Sequence, residues 1–156
     1  MKKNATDGPS PLNSHLGYRM RLVSNAVSHA FARKLAASGV TVAEWVILRE
    51  MSSRKETTSP SVVADMTGLT RGAVSKLIDR LRRKGLVARS ASTGDRRYQD
   101  IELTPKAAKL VPKLAGLADE NDDFFFSPLT AAERHTLRRL LTKLAELHEL
   151  NTNPIE

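Results

Sequence analysis

The segment from Arg71 to Arg97, RGAVSKLIDRLRRKGLVARSASTGDRR, holds nine lysines or arginines against two acids, Asp79 and Asp95. It therefore carries +7 of the chain's net +8, and everything outside it is close to neutral. Guanidinium and ammonium groups packed into one short stretch are the chemistry of polyanion binding. A chain that was basic only for solubility would spread its charge. Beside the cations stand short polar residues. Thr70, Arg71, Gly72, Ser75 and Lys76 cluster at the start of this segment, and such types reach base edges and phosphates in a DNA major groove. Arg80 continues the basic flank, and Ser61 lies at the start of the preceding helix. Further on, the paired arginines Arg96 and Arg97 follow Gly94-Asp95 in a polar loop. Arginines presented on such a loop suit a narrow minor groove or a phosphate track, and Asp95 is placed to accept hydrogen bonds and fix the aim of Arg97.

These residues need elements to hold them, and the pattern predicts a mainly helical chain. A first helix is expected from about Ser14 to Ser38, with Leu16, Met20, Val23, Val27, Ala30, Phe31 and Leu35 on one stripe. Thr41-Val-Ala-Glu44 reads as a capping box that opens a second helix to about Ser53. The polar run SSRKETTS is expected to be a loop. Ser59-Pro60 starts a short third helix, and Thr67-Gly68-Leu69 makes a turn in which Gly68 supplies a permissive backbone. Thr70 caps a fourth helix, which stops at Gly85. Its apolar set Val74, Leu77, Ile78 and Leu81 leaves Gly72, Lys76, Asp79 and Arg83 on the opposite side. Helix, turn and helix make a helix-turn-helix, although two ordinary packed helices with a solvated basic face would leave the same pattern. LVARS and QDIEL follow as two short strands around the loop that ends in Gly94-Asp95-Arg96-Arg97. Thr104-Pro105 begins a fifth helix, with a kink expected at Pro112. Thr130-Ala-Ala-Glu133 is a second capping box, and the sixth helix carries Leu137, Leu140, Leu141, Leu144 and Leu147.

In this order the run TRGAVSKLIDRLRRKGLVAR (70–89), the DRR of the loop (95–97) and IELTPKA (101–107) resemble the MarR family of winged helix-turn-helix transcriptional regulators. The resemblance spans about 14–150. Where the family pattern often reads LTPKG, this chain has Ala107. The resemblance implies a homodimer with interlocking terminal helices, a recognition helix in the major groove and a wing in the minor groove. It assigns Thr70, Arg71, Gly72, Ser75 and Lys76 to groove contact, and Arg97 with Asp95 to the wing. It also places an effector pocket among the first two helices, where His15, Tyr18, Arg19 and Trp45 stand; for Trp45 a core role is the favoured alternative. The division expected is a lead-in over 1–13, dimerisation helices over about 14–38 and 104–150, a winged helix over about 41–103, and a tail over 151–156.

The long apolar stripes of the first and last helices point the same way, because a 156-residue chain whose middle is an exposed DNA-binding lobe cannot easily bury both within itself; a monomeric bundle is the alternative. Phe124, Phe125 and Phe126 are expected to anchor the corner between the last two helices in that interface. Glu120, Asp122 and Asp123 read as a solvated acidic turn. The sequence holds no cysteine, so disulfides, thiol nucleophiles and thiol redox sensing are out. The four histidines show no ligand spacing, so no metal site or cofactor is expected. No nucleophile elbow, phosphate-binding glycine loop or paired carboxylate stands out, so no enzyme is expected. No apolar run is long enough for a membrane span, and a cytoplasmic protein is expected. The expected function is a sequence-specific, dimeric DNA-binding regulator, a repressor released by a small aromatic or anionic molecule. Its alternatives are a weakly specific DNA-packaging protein, or a ligand- or protein-interaction module that uses the same basic helix.

Overall fold

The computed structural model describes residues 8–54, 58–90, 100–151 and 153 of the 156-residue chain. After a short 3-10 turn over Leu12–Ser14, the order is α1 (Leu16–Ala36), α2 (Val42–Arg54), α3 (Pro60–Thr67), α4 (Arg71–Arg83), β1 (Val87–Arg89), β2 (Ile101–Leu103), α5 (Pro105–Phe126) and α6 (Ala131–Leu147). The fold is mainly α with a two-stranded antiparallel wing, as the sequence pattern predicts.

Local chemistry sets most of these boundaries. Thr41 Oγ1 accepts from the Glu44 amide at 3.2 Å while the Glu44 carboxylate accepts from the Thr41 amide at 2.9 Å. The same reciprocal box closes on Thr130 and Glu133. The Glu133 carboxyl lies below the usual carboxylate range because the Thr130 amide and hydroxyl donate to it. Ser59, Thr70 and Thr104 cap α3, α4 and α5, and each accepts a backbone N–H of the first turn. Orphan amides at helix starts are thus satisfied by the very residues that the sequence offers for it. Pro112 lies inside α5 and does not divide it. Pro112 itself is exposed.

The core is continuous through the middle of the molecule. Val74, Leu77, Ile78 and Leu81 from α4 pack with Ile47, Leu48 and Met51 of α2, with Leu86, Val87 and Ile101 of the wing base, and with Ala107, Val111 and Leu114 of α5. The strands pair Val87 with Leu103, Ala88 with Glu102 and Arg89 with Ile101. One further pairing departs from the sequence reading. Thr58, expected in a loop, bridges Ile101 from the other side, with N···O distances of 3.0 and 2.7 Å. β2 therefore has a backbone partner on each edge.

The two ends of the chain are built differently. Leu16 is 78% exposed and Leu147 67% exposed, and Met20, Val23, Leu140, Leu141 and Leu144 are also open to solvent. α6 has no buried residue. Phe124 is 78% exposed, so within one chain it anchors nothing; Phe125 and Phe126 stack edge to face at 5.4 Å. Glu120, Asp122 and Asp123 are exposed but lie on the last turns of α5 rather than in a turn. Asn121 beside them is buried, and its Nδ2 donates to the Val27 carbonyl of α1 at 3.3 Å. Among the described residues, no helix is long and apolar enough to cross a membrane.

Candidate nucleic-acid interface

The candidate surface is built on α3 and α4. Ser59 Oγ accepts from the Val62 amide at 3.3 Å and shares a 2.8 Å hydrogen bond with Ser61 Oγ. α3 ends at Gly68, whose φ of 68° is a left-handed conformation that suits glycine. Its N–H donates to the Ala64 carbonyl at 2.8 Å. Thr67 fixes the turn, and sequence reading gave it no such role. Its buried hydroxyl donates to the Val63 carbonyl at 2.8 Å and accepts from the Leu69 amide at 3.4 Å. α4 follows at once, with four apolar residues fully turned inward.

That anchoring leaves a single outward face. Thr70, Arg71, Gly72, Ser75, Lys76 and Arg80 are all exposed, as is Ser61. A Cβ built on Gly72 would meet nothing within 4 Å, so packing does not demand glycine there; its absence keeps the face clear for close approach of another molecule. Toward the C-terminal half of α4, Arg82, Arg83 and Arg89 line an open cleft of about 770 Å³ with Asp79, Val87 and Ala88. Asp79 tempers this charge. It lies 3.6 Å from Arg82, and its carbonyl accepts from Arg83 Nε at 3.4 Å. The Asp79–Arg82 pair is exposed and contributes little to stability.

Lys84 is the exception in the basic segment. Its Nζ lies 2.8 and 2.7 Å from the two oxygens of Glu44 and 2.6 Å from the Gly39 carbonyl. Burial alone would raise the Glu44 carboxyl. The hydrogen bond from Lys84, the Thr41 amide, and the charges of Lys84 and Arg80 outweigh it and hold the group below its ordinary value. Sequence reading took Glu44 as a helix cap and Lys84 as one more surface cation.

The wing residues Asp95, Arg96 and Arg97 lie outside the described residues. The candidate effector set does not come together in one chain. Trp45 is buried and packs edge to face on Phe31 of α1 at 6.2 Å. His15, Tyr18 and Arg19 are exposed at the opposite end of α1, and Tyr18 is about 20 Å along the helix from Phe31 at 1.5 Å per residue. Trp45 thus takes its favoured place in the core.

Comparison with known proteins agrees with this geometry. Residues 38–97, which take in α2, α3, α4 and β1, match the model of the MarR family. The solved structure of Bordetella bronchiseptica BpsR, studied for the regulation of its DNA binding by 6-hydroxynicotinic acid, superposes with a TM-score of 0.76 at 27% identity, covering 88% of this chain and 98% of that one. A mutant MarR from E. coli complexed with operator DNA gives a TM-score of 0.73 at 25% identity, over 83% of this chain and 92% of that one. The organohalide-sensing regulator RdhR in its 2,4-dichlorophenol-bound form shares the fold, with a TM-score of 0.77 at 19% identity over 93% of this chain and 89% of that one. A capped helix-turn-helix, a two-stranded wing and flanking long helices in this order are what the chain shares with these regulators, and over residues 38–97 its sequence is similar to the MarR family.

Proposed function

We propose that the protein is a homodimeric, sequence-specific DNA-binding repressor that a small aromatic or anionic molecule releases from its operator. The observation that carries this reading is the split character of α4. Its underside is fully buried, while its N-terminal outward face offers only a bare glycine, a hydroxyl and two cations. Such a face suits a major groove, with Ser61 and Arg80 at its margins, and Asp95, Arg96 and Arg97 are the further residues assigned to DNA contact in this reading. The operator complex of E. coli MarR supports DNA as the ligand, and BpsR supports a small aromatic effector. The uncovered leucines of α1 and α6 support a second copy as the partner. In the effector reading, His15, Tyr18, Arg19 and Trp45 of the first two helices contribute to a pocket between the dimer helices and the DNA-binding lobe.

Selection of bound duplexes from a random pool tests this directly. The expected product is a pseudo-palindrome with half-sites roughly 34–36 Å apart, one helical turn. A packaging protein would return no motif and would bind all duplexes alike.

Two sets of substitutions separate reading from packing. Gly72→Ala is expected to stabilise the free protein by about 0.5–1 kcal/mol, because a helical glycine is replaced where nothing obstructs a Cβ. The same change should weaken operator binding, because it adds a methyl group to the groove face. Thermal melting and a gel shift check the opposite signs; a gain in both would remove Gly72 from the interface. Ser75→Ala should relax the preference at one base position. Lys76→Ala, if the ammonium meets a phosphate, should weaken all sequences alike and lower the salt slope by about one. Binding isotherms on operator and random DNA at several salt concentrations distinguish the two.

A further inference from the structure

The geometry points to Glu44 and Lys84 as a positioning pair that fixes the angle of the recognition helix, with Lys84 taking no part in DNA contact. This rests on the DNA-binding reading above. A lysine has three N–H donors. Here the acceptors are already in place: both oxygens of Glu44 at 2.8 and 2.7 Å, and the Gly39 carbonyl at 2.6 Å. No donor is left for a phosphate. The Glu44 side chain is fully buried and the Lys84 side chain only partly exposed, so the charge that sequence counting gives to the surface is neutralised inside. The basic face is one cation weaker than the residue list suggests.

The position of the pair gives it leverage. Lys84 is the C-cap of α4, and Glu44 stands in the first turn of α2. The Lys84 carbonyl accepts from Lys106 Nζ at 2.8 Å, and the next carbonyl, Gly85, accepts from Thr104 Oγ1 at 2.7 Å. Gly39, the third acceptor, belongs to the link between α1 and α2. The end of the recognition helix is therefore tied at one point to the starts of α2 and α5 and to the exit of α1. The apolar underside of α4 holds it down through contacts that are individually non-directional. The ion pair and its carbonyls are directional, and they hold the end remote from the groove-reading residues. Arg80, one turn before Lys84, adds its charge to the field on Glu44.

The test compares wild type with Lys84→Met and Glu44→Gln. The second keeps the shape of the site and serves if the first folds poorly. Operator and random duplexes are titrated at several potassium chloride concentrations, and melting is followed at pH 8 and pH 5.5. Both variants should bind the operator more weakly, by about tenfold per half-site, the worth of one good base contact. Random-DNA affinity and the salt slope should stay as in wild type. In Lys84→Met the buried carboxylate loses its cation, so burial raises its pKa. The variant's stability should then rise as pH falls through that raised value, and its melting deficit should narrow at pH 5.5. A slope lower by about one, with operator and random DNA weakened equally, would make Lys84 a phosphate contact and overturn the proposal. So would operator affinity that is unchanged in both folded variants, or a melting deficit independent of pH. Wild type that selects no preferred duplex would instead sink the sequence-specific reading, and the pH-dependent melting would still decide whether the pair couples.

Discussion

Leu140→Asp combined with Leu144→Asp is expected to turn the protein into a monomer and to cut operator affinity by roughly 10²- to 10⁴-fold, the gain that joining two binding units gives. Both leucines are uncovered in the single chain, at 46% and 43% exposure. Neither belongs to the central core, so the change does not remove packing from the winged helix. They share the face of α6 that also bears Leu137, Leu141 and Leu147, and two carboxylates there would have to be desolvated whenever a second copy covered it. Light scattering reads the mass, and a gel shift on the selected duplex reads the affinity. A double variant that remains a dimer would place the interface elsewhere. A monomer that binds the full operator as well as wild type would end the two-half-site reading.

The second large effect concerns the underside of the reading helix. Leu81→Ala should cost about 2–5 kcal/mol, the range for deleting a buried leucine and leaving a cavity. That is a large share of the roughly 5–15 kcal/mol that stabilises an ordinary domain. Leu81 is fully buried where α4 meets α2, the wing base and α5, so few neighbours can collapse inward without breaking capped helices. Urea unfolding gives the number. Ser75→Ala, two turns away on the outer face, should change stability by no more than about 0.5 kcal/mol. A small loss for Leu81→Ala, or a large one for Ser75→Ala, would mean that α4 is rotated from the orientation described.

Much of this arrangement is written locally. Thr41 with Glu44, Ser59 with Pro60, Thr70, Thr104 with Pro105, and Thr130 with Glu133 each announce a helix start within four residues, and each cap forms. The apolar spacing of α4 places its buried face correctly for the same reason, since residues three and four apart share one side of a helix. What escaped notice depends on partners far apart in the chain. Glu44 and Lys84 are separated by 40 residues, and nothing in the surroundings of either one names the other. Thr58 pairs with Ile101 as a single residue, too short for any periodicity to show. Thr67 looks like an ordinary turn residue until its hydroxyl is seen serving both the helix before it and the amide after it. Tyr18 and Trp45 lie on adjacent helices and still fail to meet, because α1 is long: Tyr18 is near its start, while Trp45 of α2 packs on Phe31 toward its other end.

The unbroken course of α5 has a mechanical consequence. At 22 residues it is a beam about 33 Å long, and its first turns are embedded in the winged-helix core while its far end reaches the aromatic corner. A rotation of only about 5° at one end swings the other through about 3 Å, on a length set by that same 1.5 Å rise. Two such beams meeting at a dimer axis would translate a slight adjustment near the axis into a change of several ångströms in the span between reading heads. DNA presents its grooves at a fixed pitch, so a misfit of that size needs no rearrangement within either head.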